Sequence, residues 1–189
     1  MKIALILTAL MFMGNSGTAD QGQEGPRELF VFDTPDRAAE WLAVNDGVMG
    51  GVSRGQFRVT ESSTLEFHGT LSLENNGGFA SIRSSPRALS LRSSDALDIR
   101  LRGDGRTYFL NLYVKNSRPA FSFRAAIKTT PDEWLEVRVP VQRFQATWFG
   151  RQVDDPLEIE SVNSLGFMVS DGIAGPFRLE IQSIQVAGS

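Results

Sequence analysis

The chain has one histidine, His68, and no cysteine. Without a thiol there is no cysteine nucleophile, no disulfide and no thiolate metal site. One imidazole cannot build a multi-histidine metal centre. A serine triad would route every proton through His68. That residue sits in an alternating run, TLEFH, and no G-x-S-x-G elbow occurs. Paired carboxylates are the remaining route to hydrolysis. Asp154, Asp155, Glu158 and Glu160 cluster late in the chain, in a stretch that reads better as a solvated loop. Asp33, Asp46 and Asp171 offer hard oxygens suited to calcium, but their spacing matches no EF-hand loop. No catalytic residue, metal ligand set or cofactor is assigned.

Two glycine-rich stretches come next. WLAVNDGVMGGVSRG runs from Trp41 to Gly55, and ENNGGFASIRS from Glu74 to Ser84. The first has no run long enough for a strand or a helix. Gly50, Gly51 and Ser53 invite a phosphate-cradle reading, but such a loop must open a helix. Gln56 onward alternates like a strand instead. The expectation is a packed loop closing one end of the fold, built from Asn45, Asp46, Gly47, Gly50, Gly51, Ser53, Asn76 and Gly78. Asn45 and Asp46 are expected to bond their own backbone there.

A third constellation follows from alternation. If the aliphatic residues of the middle strands point inward, Arg83, Arg100, Arg102, Asn111, Tyr113, Arg124 and Trp134 share the opposite face. Aromatic rings to stack on and planar or amide donors describe a sugar- or peptide-binding groove. An ordinary solvated sheet face is the other reading. The candidate ligand-binding residues are Arg83, Arg100, Asn111, Tyr113, Arg124 and Trp134.

The elements that must carry these residues are short strands. LFVFD (Leu29 to Asp33) comes first, then one or two helical turns from Pro35. Period-2 runs follow at Gln56–Glu61, Thr64–His68, Thr70–Leu73, Gly78–Arg83, Ala96–Arg102, Thr107–Lys115, Ala120–Lys128 and Glu133–Val139. Gly103-Asp104-Gly105 predicts a tight hairpin between two of them. Pro140 ends a strand, and Val141–Arg151 reads as irregular and aromatic. Ser164–Ser170 and Phe177–Val186 are the last strands. About nine or ten strands at this spacing, with almost no helix, predict an all-β sandwich or barrel.

At the N-terminus Lys2 precedes an apolar run, Ile3 to Met13, and small residues up to Ala19. This reads as a signal peptide over 1–19, too short for a membrane anchor. A flexible lead-in over 20–28 and a single domain over 29–187 are expected to follow. The protein is then expected to be exported, periplasmic or secreted, with no membrane span after signal removal. A net charge of -3 without a basic block argues against nucleic acid.

Several segments together resemble a known family, the complex I intermediate-associated protein 30 family. They are Trp41 with VNDGVMGGVSRGQF (Val44 to Phe57), LEFHGTLSLENNGGFASIRS (Leu65 to Ser84), LRGDGRTYFLNL (Leu101 to Leu112), EWLEVRVPVQRFQATWFGR (Glu133 to Arg151) and LGFMVSDGIAGPFRLEIQSI (Leu165 to Ile184). The resemblance implies a galactose-binding-domain-like jelly roll. It also implies a non-catalytic scaffold that helps assemble respiratory complex I, with no catalytic residues to carry over. The expected function is a non-enzymatic, assembly-factor-like domain that binds a protein partner, such as a membrane complex, at the cell envelope. The alternative is a carbohydrate-binding module taking a glycan on the polar aromatic face.

Overall fold

The computed structural model describes residues 25–187; the expected signal segment lies outside them. Thirteen strands follow in chain order: β1 (Arg27–Val31), β2 (Trp41–Asn45), β3 (Arg54–Val59), β4 (Leu65–Leu71), β5 (Ala80–Ser84), β6 (Ala96–Gly103), β7 (Thr107–Val114), β8 (Phe121–Lys128), β9 (Trp134–Pro140), β10 (Gln145–Trp148), β11 (Arg151–Gln152), β12 (Val162–Val169) and β13 (Gly175–Val186). The helical turns between them are short 3-10 pieces, such as Pro35–Glu40 and Asp46–Met49.

Two antiparallel sheets form. One has the order β3-β4-β13-β6-β9, with β1 also on β13. The other runs β11-β10-β8-β7-β12-β5-β2. Alternation fills the space between them, as period-2 patterning requires. Leu65, Phe67, Leu97, Ile99, Leu101 and Leu179 come from the six-stranded sheet. Ile82, Tyr108, Leu110, Leu112, Phe123 and Phe167 come from the seven-stranded one. All are almost completely buried.

Four expectations change. The stretch Trp41–Gly55 contains strand β2, a 3-10 turn and the start of β3. The runs Thr64–His68 and Thr70–Leu73 are largely one strand, β4. Val141–Arg151 contains the hairpin β10–β11. The lead-in ends earlier, because Arg27 and Glu28 already pair with β13.

A fifth is topological. The Gly103-Asp104-Gly105 turn does not close a hairpin: β6 and β7 lie in different sheets. Residue chemistry specified a tight turn, but both strands bury an aliphatic face. Those faces meet across the core rather than edge to edge.

Candidate functional site

The predicted polar face is divided between the two sheets. Arg100, Arg102 and Trp134 stand on the outer face of the six-stranded sheet, on β6 and β9. Arg83, Asn111, Tyr113 and Arg124 stand on the outer face of the seven-stranded sheet, on β5, β7 and β8. Alternation fixes which way a side chain points within its sheet. It does not say which sheet a strand joins, and that is why one face became two.

The six-stranded half is an ion-pair ladder. Arg138 is bidentate to Asp98 (2.7 Å for each bond), and Arg100 donates to Glu136 at 2.9 Å. Arg102 donates to Glu180 at 2.8 Å; Arg178 bonds both Glu180 and Glu66; Arg58 bonds Glu66. Trp134 lies beneath the Arg100 and Arg102 guanidinium groups, 5.4 and 5.0 Å from its centroid. A shallow groove of about 480 Å³ crosses the Asp98–Arg138 and Arg100–Glu136 rungs. Burial raises the Glu66 carboxyl, and the bonds from Arg178 and Arg58 outweigh it, leaving it below the usual carboxylate range. His68 is on this face, with Nδ1 3.4 Å from Glu66 Oε1. The late acids lie elsewhere: Asp155 meets Arg118 at 3.5 Å.

The seven-stranded half is packed more tightly. Asn111 is fully buried and accepts from the Ser122 hydroxyl at 3.0 Å. The Arg83 guanidinium covers the Tyr113 ring at 4.3 Å, and Arg124 covers Phe109 at 4.5 Å. The Tyr113 hydroxyl and Arg83 Nε are buried without a hydrogen-bond partner. Burial pushes the Tyr113 phenol up. Arg124 donates to the Gly150 carbonyl at 2.7 Å, so its role in the fold is to hold the β10–β11 turn.

The glycine-rich stretches build one end of the sandwich around Asp46. Its side chain has no exposed surface. Oδ1 accepts the Ser53 N–H at 2.9 Å, and Oδ2 accepts the Ser53 hydroxyl at 2.5 Å. Oδ2 also accepts the N–H groups of Gly78 (2.7 Å) and Phe79 (3.3 Å). Burial raises this carboxyl, but those bonds prevail and hold it below its ordinary value. The expected bonding of Asp46 to its own neighbouring backbone is therefore corrected: it ties two separate loops together. Asn45 likewise reaches the Gly55 carbonyl at 3.0 Å. Ser53 Oγ accepts the Ser72 N–H at 3.0 Å, which fastens the end of β4. Gly50 is left-handed and closes the 3-10 turn. Gly51 packs on the carboxylate, where a Cβ would come within 2.4 Å. Asn76 and Gly78 both adopt positive φ, and a Cβ on Gly47 would meet nothing.

Two features have no counterpart among the expected site residues. Arg106, almost buried, is bidentate to Asp171 at 3.0 and 2.6 Å. It also donates to the carbonyls of Ile173 and Pro176. The bond from Arg106 lowers the Asp171 carboxyl against the opposing effect of burial. The signal was an arginine directly after the turn Gly103-Asp104-Gly105, but its partner is 65 residues away. The second feature is the β10–β11 turn. Trp148 and Phe149 stack edge-on at 5.3 Å, and both are exposed, Phe149 by 56%. Phe149 has φ +45° and Gly150 φ +73°. Arg118 lies between the Phe121 and Trp148 rings, at 4.7 and 5.2 Å.

Asp33 pairs with Arg37, Asp46 with backbone and Ser53, and Asp171 with Arg106. The three acids considered for calcium are thus engaged separately, and no group of three metal-ligating side chains occurs among the described residues.

The family model of Complex I intermediate-associated protein 30 matches residues 30–181. A mouse protein named "Complex I intermediate-associated protein 30, mitochondrial" is 28% identical over 86% of this chain. The protein of the same name from Neurospora crassa is 25% identical over 87% of it. The chain spans 56% of the mouse relative's length and 74% of the fungal one's. Among solved structures, a family 11 carbohydrate-binding module of a Clostridium thermocellum cellulase superposes with TM-score 0.67. It covers 87% of this chain and 95% of its own, at 13% identity. That likeness concerns the fold: an all-β, galactose-binding-like jelly roll. The relatives' names place them in mitochondria, which overturns the expectation of an exported, periplasmic or secreted protein. That expectation rested on Lys2, the apolar run Ile3–Met13 and the small residues up to Ala19, and charge, hydropathy and residue size by themselves do not encode a destination.

Proposed function

The chain belongs to the complex I intermediate-associated protein 30 family, and from that premise we propose that it is a non-catalytic domain that docks protein partners during assembly of a mitochondrial membrane complex. The observation that carries this reading is the Trp148–Phe149 pair. An aromatic residue at positive φ costs on the order of 1–3 kcal/mol. Both central residues of this two-residue turn are left-handed, which is the I′ pattern that favours Asn-Gly. Here the first position holds Phe149, whose ring is exposed and stacks on the also exposed Trp148 rather than on the core. The fold gains nothing evident from that ring. A partner gains a rigid aromatic pair beside Arg118, the residue types on which binding energy concentrates.

The test is capture from detergent-solubilised complex I-containing membranes. The full chain retains membrane-complex subunits, and the variant carrying Trp148→Ala and Phe149→Gly loses them while staying folded. Equal recovery by both proteins would refute the reading.

A second reading is favoured by one observation, the unpartnered Tyr113 hydroxyl and Arg83 Nε. The outer face of the seven-stranded sheet would take a glycan hydroxyl there once Arg83 swings off the ring. Titration with mixed-linkage glucan oligosaccharides, against Tyr113→Phe, tests it. No binding at millimolar concentration removes it.

A further inference from the structure

The loops around Asp46 form an apolar corner at one end of the sandwich; the 103–106 turn and the 128–133 loop, which carry Asp104, Lys128, Asp132 and Glu133, make up the other half of that end. Of the eight large apolar side chains exposed among the described residues, five are here: Val48, Met49, Val52, Leu73 and Ile173. They stand on three loops that the topology gathers. Asp46 binds the 46–53 loop to Gly78 and Phe79, and Ser53 binds it to Ser72. Leu71 pairs with Gly175 at the sheet's end, so Leu73 and Ile173 each lie two residues beyond that pair. Val48 is 75% exposed and Ile173 59%.

Within this corner the charges are arranged to leave the apolar tips bare. The three loops, 46–53, 72–79 and 170–174, hold Asp46, Glu74 and Asp171. Asp46 and Asp171 point inward and are fully engaged. Only Glu74 is exposed. Two buried charges, Asp46 and Arg106, thus fix the backbones on which aliphatic tips stand. Exposed apolar clusters lower solubility and mark a surface that meets something apolar.

We propose that this corner contacts a lipid bilayer with electrically neutral headgroups, inserting Val48, Met49, Val52, Leu73 and Ile173 into its interfacial region. Three observations favour lipid over a protein surface. The five anchors are all aliphatic, without the Trp, Tyr and Arg that dominate protein hot spots. They project from loop tips, and Cβ atoms built on Gly47, Gly50 and Gly172 would meet only open space. A fluid interface accepts separate tips, whereas a protein must offer a matched pocket for each. In this corner the exposed charges are Glu74 and Arg54, so entry desolvates few charged groups and no basic cluster draws it to anionic headgroups. Arg54, exposed at the base of the loop, can lay its stem along the apolar tips and keep its guanidinium at phosphate level. No helix among the described residues is long and apolar enough to cross a membrane, so the contact is peripheral.

The absence of cysteine gives a clean experiment. Val48→Cys in the full chain carries the sole thiol, to which an environment-sensitive fluorophore is attached. On phosphatidylcholine vesicles its emission shifts to the blue and is quenched by nitroxides on the acyl chains. The same label at Ser117→Cys, at the opposite end, stays in water. Replacing both Val48 and Met49 by Asp lowers partitioning about tenfold with Tm unchanged. Even where the N-terminal apolar run holds the chain on vesicles, it cannot place position 48 in the bilayer. A label at position 48 that remains in water on vesicle-bound protein overturns the proposal. So does a blue shift that needs a protein extract and no lipid, which would make this corner a protein interface. Neither result depends on whether Trp148 and Phe149 capture partners.

Discussion

The carboxylate of Asp46 accepts a 2.7 Å hydrogen bond from the backbone N–H of Gly78, 32 residues further along the chain. With the two bonds from Ser53, it locks two glycine-rich loops into one platform. An acceptor-only carboxylate suits three backbone N–H groups and a hydroxyl; an amide would turn a donor toward them. Asp46→Asn is expected to destabilise by about 2–4 kcal/mol, read as a fall in Tm. The pH dependence has a defined sign. The folded carboxyl titrates below its ordinary value of about 4, so its stabilisation is present above that pH. It is lost as the pH falls through the folded value. Asp46→Asn removes this share of the acid limb; Glu66 and Asp171, lowered in the same way, retain theirs.

The glycines around that carboxylate separate into two classes. A Cβ at Gly51 or Gly77 would come within 2.4 or 2.6 Å of the Asp46 carboxyl group, whereas one at Gly47 meets nothing. Gly51→Ala and Gly77→Ala should each cost about 1–3 kcal/mol. Gly47→Ala should stay within about 0.5 kcal/mol of the wild type. Urea unfolding of the three variants checks the ranking.

Relief of strain and loss of function should coincide at Phe149. Phe149→Asn suits the left-handed turn and should raise stability by about 0.5–1 kcal/mol. The same variant should capture membrane-complex subunits less well. A gain in Tm together with undiminished capture would separate the strain from partner binding.

Arg106 and Asp171 form a pair whose members both have little exposed side chain. Arg106→Met strands Asp171 and frees the Ile173 carbonyl, at an expected cost of about 3–5 kcal/mol. Replacing both, with Asp171→Leu added, should recover part of that loss. Thermal unfolding of the single and double variants measures the difference.

The outer ladder of the six-stranded sheet should behave differently. Arg100 and Glu136 are both exposed, and exposed pairs contribute about 0–1 kcal/mol. Arg100→Ala should therefore leave Tm nearly unchanged. It should also leave partner capture unchanged, because Arg100 stands on the six-stranded sheet, whereas Trp148 and Phe149 belong to the β10–β11 turn of the other.

The strands were legible because oily residues recur at every second position. Leu97, Ile99 and Leu101 on β6, and Tyr108, Leu110 and Leu112 on β7, are buried as that period requires. The pattern fails where the ladder slips. Between Ile181 and Ser183 the register of β13 shifts, so Ile181 and Ile184 are both buried despite opposite parity. Val141–Arg151 hid its hairpin because the I′ turn there carries Phe-Gly instead of a recognised turn pair.

By itself the sequence determined a cysteine-free all-β chain and its family. It also determined the orientation of nearly every strand residue, since burial of an apolar face is a local, periodic property. Only the tertiary structure decided which strands share a sheet, and so divided Arg100 and Trp134 from Tyr113 and Arg83. It alone chose Gly78 for Asp46 and Asp171 for Arg106. A hydrogen bond or an ion pair is selected by proximity in space, and proximity between distant residues has no periodic trace along the chain.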